Sequence, residues 1–324
     1  MPRALAADAY AGLRLPALEK LLARASSEAL QPDTLEDWMC TDFGIEDRGI
    51  APVTLRADGV EPGANFWLRA DPVCLQLRRN QMILQSGLDL GMDEAGHVCA
   101  SLNAHFQGSG MRFSAPHPQH WYLQLDSAPD MQTRHLSAVV GQDVHQHLPE
   151  GKEALHWHAV LNEIQMLLVD HPVNQAREAT AKLPVNSIWL WGGGQSAGQL
   201  ARKYGRILGD SDLAAAFAAV AGSTYYPLEQ DALRQFEPGE QVLIAIEGLH
   251  RAIQSGNFQG WRDLLQNLEK NIAAPLLHAM QAGSIARITL DILQPGAARR
   301  FVLQRGDLWK LWRLPASLAK YALV

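Results

Sequence analysis

Cysteine is scarce and unpaired in this chain. Cys40, Cys74 and Cys99 are odd in number and form no C-x-x-C pair, which argues against a disulfide framework and fits three inert thiols in a reducing cytoplasm. Long apolar runs are missing as well. The least charged stretch, 213–226, is alanine-rich and broken by Gly222, far short of the roughly 20 apolar residues that a bilayer requires. The N-terminal MPRALAADAYAGLRLPALEK carries a charge every few residues and has no apolar core of secretory type, so neither a signal peptide nor a membrane span is expected. An excess of basic charge is also lacking: 28 Lys and Arg stand against 34 Asp and Glu, a net charge of −6. No global positive field exists to hold phosphate backbones, and strong direct nucleic-acid binding is not expected.

What is present is a globular composition. The 324 residues are 47% apolar and 19% charged, with 26 Gly and 17 Pro, enough chain for about two domains with real cores. Residues 1–63 read as an irregular leader packing on the core, because only 16–25 show helical spacing before a stretch punctuated by Pro, Gly and Asp. Residues 64–185 read as an inserted α+β domain. Strand patterns at 66–68, 73–77, 82–84 and 121–125 surround a helix at 94–106, and an amphipathic helix follows over 151–170 with Leu155, Trp157, Leu161, Ile164 and Leu168 on one face. Residues 186–324 read as an α/β core, with apolar strands at 187–191, 241–247 and 285–293 separated by helices at 213–221 and 259–282. A closing hairpin is expected from 300–304 and 309–313. By alternation it would expose either Trp309 and Trp312 or Leu308 and Leu311, and these four residues are the candidate partner-binding positions.

Motifs for nucleotide chemistry are absent. There is no GxxxxGK[ST] and no GxGxxG, so a nucleotide-binding loop is not expected; Gly194-Gln-Ser-Ala-Gly198 does match the string GxSxG. His156 and His158 lie about 200° apart on a helix and cannot share a metal. Gly192, Gly193 and Gly194 follow an apolar strand and are expected to form a tight strand-to-helix turn; their N–H groups are the candidate anion site. Asp291, at the end of a strand, reads as a turn or capping residue.

The order of several segments resembles a known family. Leu161-Asn-Glu, His171-Pro-Val-Asn174, Arg177 and Pro184-Val-Asn186-Ser-Ile-Trp-Leu-Trp-Gly-Gly-Gly194 resemble the archaeal-type cofactor-independent phosphoglycerate mutases of the alkaline phosphatase superfamily. Phe66-Trp-Leu-Arg69-Ala-Asp71 and the helix from Asp93 to Asn103 match its upstream elements. With Asp71-Pro-Val73 and Ala115-Pro-His-Pro118 included, the chain is most similar to a bacterial subgroup of phosphoglycerate-mutase-like, RpfE-type regulatory proteins. The resemblance implies an α/β, alkaline-phosphatase-like core with a mostly parallel sheet and a smaller inserted α+β domain. In that family, two divalent metals held by Asp and His serve a Ser nucleophile. Here the opening D-G…D and the P-G-S turn are missing, His250 and Gln254 fall where a D-x-x-x-H pair belongs, Ile292 replaces a histidine beside Asp291, and Gln119-His120-Trp121 falls where the phosphate-handling Y-R-H belongs. The comparison therefore implies a pseudoenzyme with no catalytic residues, no metal ligands and no cofactor. Such a protein would act in the cytoplasm, in DNA repair, as an accessory that binds and modulates a RecJ-type 5′→3′ single-strand-specific exonuclease. The alternative is a manganese- or magnesium-dependent phosphoglycerate mutase or phosphomonoesterase using Asp291, His250 and residues of the first 60.

Overall fold

The computed structural model describes residues 10–32, 34–45, 49–228, 239–294 and 296–322. The longer α-helices among the described residues are α1 (Pro16–Arg24), α2 (Leu35–Phe43), α3 (Ile50–Ala57), α4 (Met92–His105), α5 (Ala154–Val169), α6 (Pro172–Ala179), α7 (Asp212–Ala221), α8 (Gly248–Gln254), α9 (Phe258–Leu268) and α10 (Ala274–Ala282). The strands are β1 (Ser26–Ala29), β2 (Phe66–Arg78), β3 (Gln81–Gln85), β4 (Met111–His117), β5 (His120–Leu125), β6 (Ser187–Gly194), β7 (Arg206–Gly209), β8 (Thr224–Pro227), β9 (Val242–Ala245), β10 (Arg287–Ile292) and β11 (Arg299–Gln304). They cluster into two compact units, one of 1–38, 202–218 and 222–324, the other of 39–201 and 219–221.

The second unit is built on an antiparallel sheet in the order β3-β2-β5-β4, with β6 also paired to β2. The sheet is long and central at β2 because residues 67 to 74 are buried on both faces, so strict alternation gives way to a near-continuous apolar run. α4 and α5 cover one face through Val98, Leu102, Trp157, Leu161 and Ile164 against Leu68, Trp121 and Ile188. The face of α5 is not quite the expected one: Leu155 is 84% exposed, since it stands nearly opposite Trp157 on a 3.6-residue turn.

The first unit carries a parallel sheet, order β8-β7-β9, whose Leu208, Val242 and Ile244 pack on Ile272 and Leu276. The strand expected to extend it, β10, instead pairs antiparallel with β11, which also pairs β1. A connection of only six residues, 293–298, joins β10 to β11, too short for a parallel crossover. The 309–313 strand does not form. Arg305–Trp309 is a single 3-10 turn and the following residues are turns, capped by the Asp307 carboxylate accepting the Gln304 N–H at 2.9 Å.

The expectation of an irregular stretch over 31–63 is also corrected. It contains α2 and α3, and Ile50, Ala51, Pro52, Val53, Thr54 and Leu55 are all buried. An eight-residue helix is little more than two turns, and its near-continuous apolar run cannot be told from a buried strand by period. Its partner is β6. Gly192 has φ +64°, and a Cβ there would sit 3.2 Å from the Ile50 Cβ; a Cβ on Gly193 would sit 2.7 Å from the Phe66 Cζ and 2.9 Å from the Leu68 Cδ2. The three glycines therefore continue β6, and no helix begins over 195–205, contrary to the expected strand-to-helix turn. Gly193→Ala is expected to cost about 1–3 kcal/mol by overpacking, read as a lower denaturant midpoint; an unchanged midpoint would refute this steric role.

Candidate functional site

At a parallel sheet whose central strand sends its connections to either side, ligands lie outside the carboxyl ends of the strands. Here that edge is β7 and β9. β7 runs into Asp210, and β9 runs through Ile246 to Glu247 and α8. The crevice is filled by the protein itself. Asp210 Oδ1 accepts the Glu247 N–H at 2.7 Å, and Oδ2 accepts the Gly248 N–H at 2.9 Å. The Arg251 guanidinium donates to the Asp210 carbonyl at 2.6 Å, and the Tyr225 hydroxyl donates to the Gly209 carbonyl at 2.8 Å. Burial pushes the Glu247 carboxyl above its usual range. Asp210 and Glu247 escaped the sequence reading, although a carboxylate closing a short apolar run, Ile207-Leu-Gly-Asp210 and Ile244-Ala-Ile-Glu247, is the signal that would have found them.

Asp291 is neither turn nor cap. It sits inside β10 opposite Arg300, whose Nε and Nη2 donate to its two oxygens at 2.9 and 2.6 Å, while the Trp38 indole donates to Oδ2 at 2.6 Å. His250 lies exposed on α8, and Gln254 ends that helix. Among the described residues, no group of three or more His, Cys, Asp and Glu side chains converges as a metal centre would. The donor set does not fit a pair of divalent ions either. Asp291 has both oxygens engaged by a guanidinium and an indole, and Asp210 has both engaged by backbone N–H groups, so each would have to give up strong donors to take a cation.

In the antiparallel unit, Arg69, Asp71, His171, Asn174 and Arg177 of the motifs that carry the family resemblance are buried, and their polar groups are engaged within the protein. Arg69 and Asp71, neighbours on one face of β2, form an ion pair at 2.6 Å with side chains 7% and 4% exposed. The Trp191 indole donates to the other Asp71 oxygen at 2.7 Å. His171 caps α6 through Nδ1, which accepts the Val173 N–H at 3.2 Å, and Nε2 faces the Ser101 hydroxyl at 2.9 Å. The Asn174 amide bridges Leu168 and Val185. Arg177 holds the Leu183 and Asp89 carbonyls and Glu94 at 2.7, 2.8 and 3.0 Å, while Asn186 pairs both backbone groups of Leu75. These motifs tie helices to β2 and β6.

His120, which the resemblance set against a phosphate-handling residue, has its Nδ1 3.1 Å from Asp58 Oδ2; the Tyr122 hydroxyl donates to the same oxygen at 2.6 Å. Burial pushes the Asp58 carboxyl up, but the hydrogen bonds from His120 and Tyr122 and the charges of His120 and Arg69 outweigh it and hold the carboxyl below its ordinary range. A depressed carboxyl stabilises the fold above its unfolded pKa and loses that contribution as pH falls through the folded value. Asp58→Asn is therefore expected to flatten the loss of stability between about pH 4 and 2; urea midpoints that fall in parallel for both proteins would contradict this.

The four candidate partner residues are split. Trp309 and Trp312 are 78% and 75% exposed, and Leu311 and Leu314 stand out beside them; Leu308 is half-buried on the apolar cluster of α1 and β11. The segment is not loose. Arg24 donates to the Leu308 carbonyl, and Arg313 Nη1 donates to the Ala25 carbonyl at 2.8 Å.

No family model matches the chain. A probable 2,3-bisphosphoglycerate-independent phosphoglycerate mutase of Geobacter sulfurreducens is 25% identical over 169 residues, covering 46% of this chain and 42% of that protein. A 2,3-bisphosphoglycerate-independent phosphoglycerate mutase of Methanosarcina acetivorans is 23% identical over 272 residues, covering 74% and 66%. The chain thus spans from about two-fifths to about two-thirds of the length of these curated relatives. A solved structure from Pyrococcus horikoshii superposes with a TM-score of 0.51 at 12% identity, covering 90% of this chain and 80% of that one. Together these define a mixed α/β protein of alkaline-phosphatase-like fold. More narrowly, the chain is a distant relative of the archaeal-type cofactor-independent phosphoglycerate mutases.

Proposed function

We propose that this chain is a non-catalytic, phosphoglycerate-mutase-like accessory protein that docks a RecJ-type single-strand-specific exonuclease and modulates it. The observation that carries the non-catalytic half is the fate of the carboxylates: both oxygens of Asp291 are engaged by Arg300 and Trp38, and both of Asp210 by two backbone N–H groups. The Asp58 carboxylate beside His120 adds negative charge where a phosphate would have to sit. The docking half rests on the tethered, exposed aromatic segment around Trp309 and on the resemblance to the bacterial regulatory subgroup. A surface that presents large apolar groups in a fixed conformation loses little entropy on binding, which is how a small patch becomes an affinity anchor.

Size-exclusion chromatography with light scattering, on the full chain mixed with the purified exonuclease, tests the proposal. A co-eluting complex and an altered rate of 5′→3′ degradation are expected. Separate elution would remove the partner, and manganese-dependent conversion of 3-phosphoglycerate would replace the accessory role with catalysis.

A further inference from the structure

A cavity of about 290 Å³ opens within the antiparallel unit. We propose that it binds a small, neutral, largely apolar molecule of bicyclic-aromatic size that carries a ring N–H. Leu75 and Ile188 from the sheet, Trp189 beside them, Leu161 from α5, and Met82 and Leu148 line it with hydrocarbon. An apolar cavity of about 150 Å³ accepts benzene, so one of about twice that volume has room for a fused two-ring compound.

The polar groups in the lining set the ligand's hydrogen-bonding sense. His158 Nε2 lies 2.8 Å from the Pro149 carbonyl oxygen. A carbonyl only accepts, so Nε2 carries the proton and the neutral ring keeps its Nδ1 lone pair as an acceptor. Ser187 is 2% exposed, and its hydroxyl donates to the Ile188 carbonyl at 3.3 Å, leaving the oxygen able to accept. On the rim, His145 Nδ1 faces Asp143 at 2.9 Å, which assigns a proton to Nδ1. The His158 and Ser187 acceptors call for a donor in the ligand, while the Asn162 and Gln165 amides at the wall offer either sense, and the Asp143 carboxylate behind His145 disfavours an anion. This reading is independent of the partner proposal, which concerns the other unit.

Calorimetric titration and thermal melts of the full chain with indole, and with benzofuran as the same shape lacking the N–H, test the site. Saturable binding of both is expected, with melting temperature rising with the logarithm of ligand concentration and indole about 2- to 10-fold tighter. Gln165→Phe, which places a ring at the cavity wall from the half-buried face of α5, is expected to abolish binding of both while the ligand-free protein keeps its far-UV spectrum. His158→Phe is expected to bring the two affinities together. Absence of saturable binding by wild-type protein, or binding unchanged in Gln165→Phe, overturns the site. Equal affinity of wild-type protein for indole and benzofuran overturns the donor assignment.

Discussion

Replacing Arg69 with methionine is expected to destabilise the antiparallel unit by about 3–5 kcal/mol, since removing one member of a buried pair leaves the other charge uncompensated. The guanidinium meets Asp71 Oδ1 through Nε at 2.9 Å and Nη2 at 2.6 Å, and the Tyr122 and Trp191 rings lie 5.2 and 5.4 Å from it. Burial works against its charge, but Asp71 and Tyr122 overcome this and raise its pKa. Without it, the Asp71 carboxylate keeps only the Trp191 indole donor in a region closed to water. For a unit of this size, about 2–4 °C is lost per kcal/mol, so a melting temperature lower by about 6–20 °C is expected. The double variant Arg69→Met with Asp71→Leu removes both charges and is expected to recover most of the loss, as replaced buried pairs elsewhere do. A single variant that melts within 2 °C of wild type, or a double variant whose losses simply add, would show that the pair is not coupled in this way.

The same pair illustrates how much could be read before any coordinates. Residues whose period matches their burial announced themselves: Trp157, Leu161, Ile164 and Leu168 on α5 and the alanine-rich α7 formed where helical spacing placed them. The short α3 did not, because eight residues with a near-continuous apolar run are too few to separate a helical period from a strand. The motif residues Arg69, Asp71, His171, Asn174, Arg177 and Asn186 stood out by resemblance, yet only the fold shows that they serve the scaffold, since their partners lie as far as 120 residues away in the chain. Asp291 was conspicuous for the same reason, and its meaning depended on Arg300 arriving opposite it across β10 and β11. The glycine triplet was legible as a need for close approach. Which neighbours approached, Ile50 at Gly192 and Phe66 and Leu68 at Gly193 rather than a following helix, depended on the packing of α3 and the pairing of β6 with β2.

The second large effect expected is on association: Trp309→Ala with Trp312→Ala should weaken the complex with the exonuclease by at least about 100-fold while leaving the free protein's stability within about 0.5 kcal/mol. The first number follows from the about 2 kcal/mol or more that a buried aromatic anchor contributes at an interface hot spot, counted for two anchors with allowance for non-additivity. The second follows from exposure: rings 78% and 75% open to water have little packing to lose on truncation. The Leu308 side chain, packed on the first unit's core, provides the contrast. Leu308→Ala should reduce both stability and binding, because it loosens the seat from which the neighbouring rings project. Arg313→Ala, which removes the donor to the Ala25 carbonyl, should lower affinity by releasing the segment from its fixed conformation, with the loss appearing as an unfavourable entropy in calorimetry. A double tryptophan variant that binds like wild type would move the interface off this segment, whereas one that unfolds would mean that the rings pack against the protein after all.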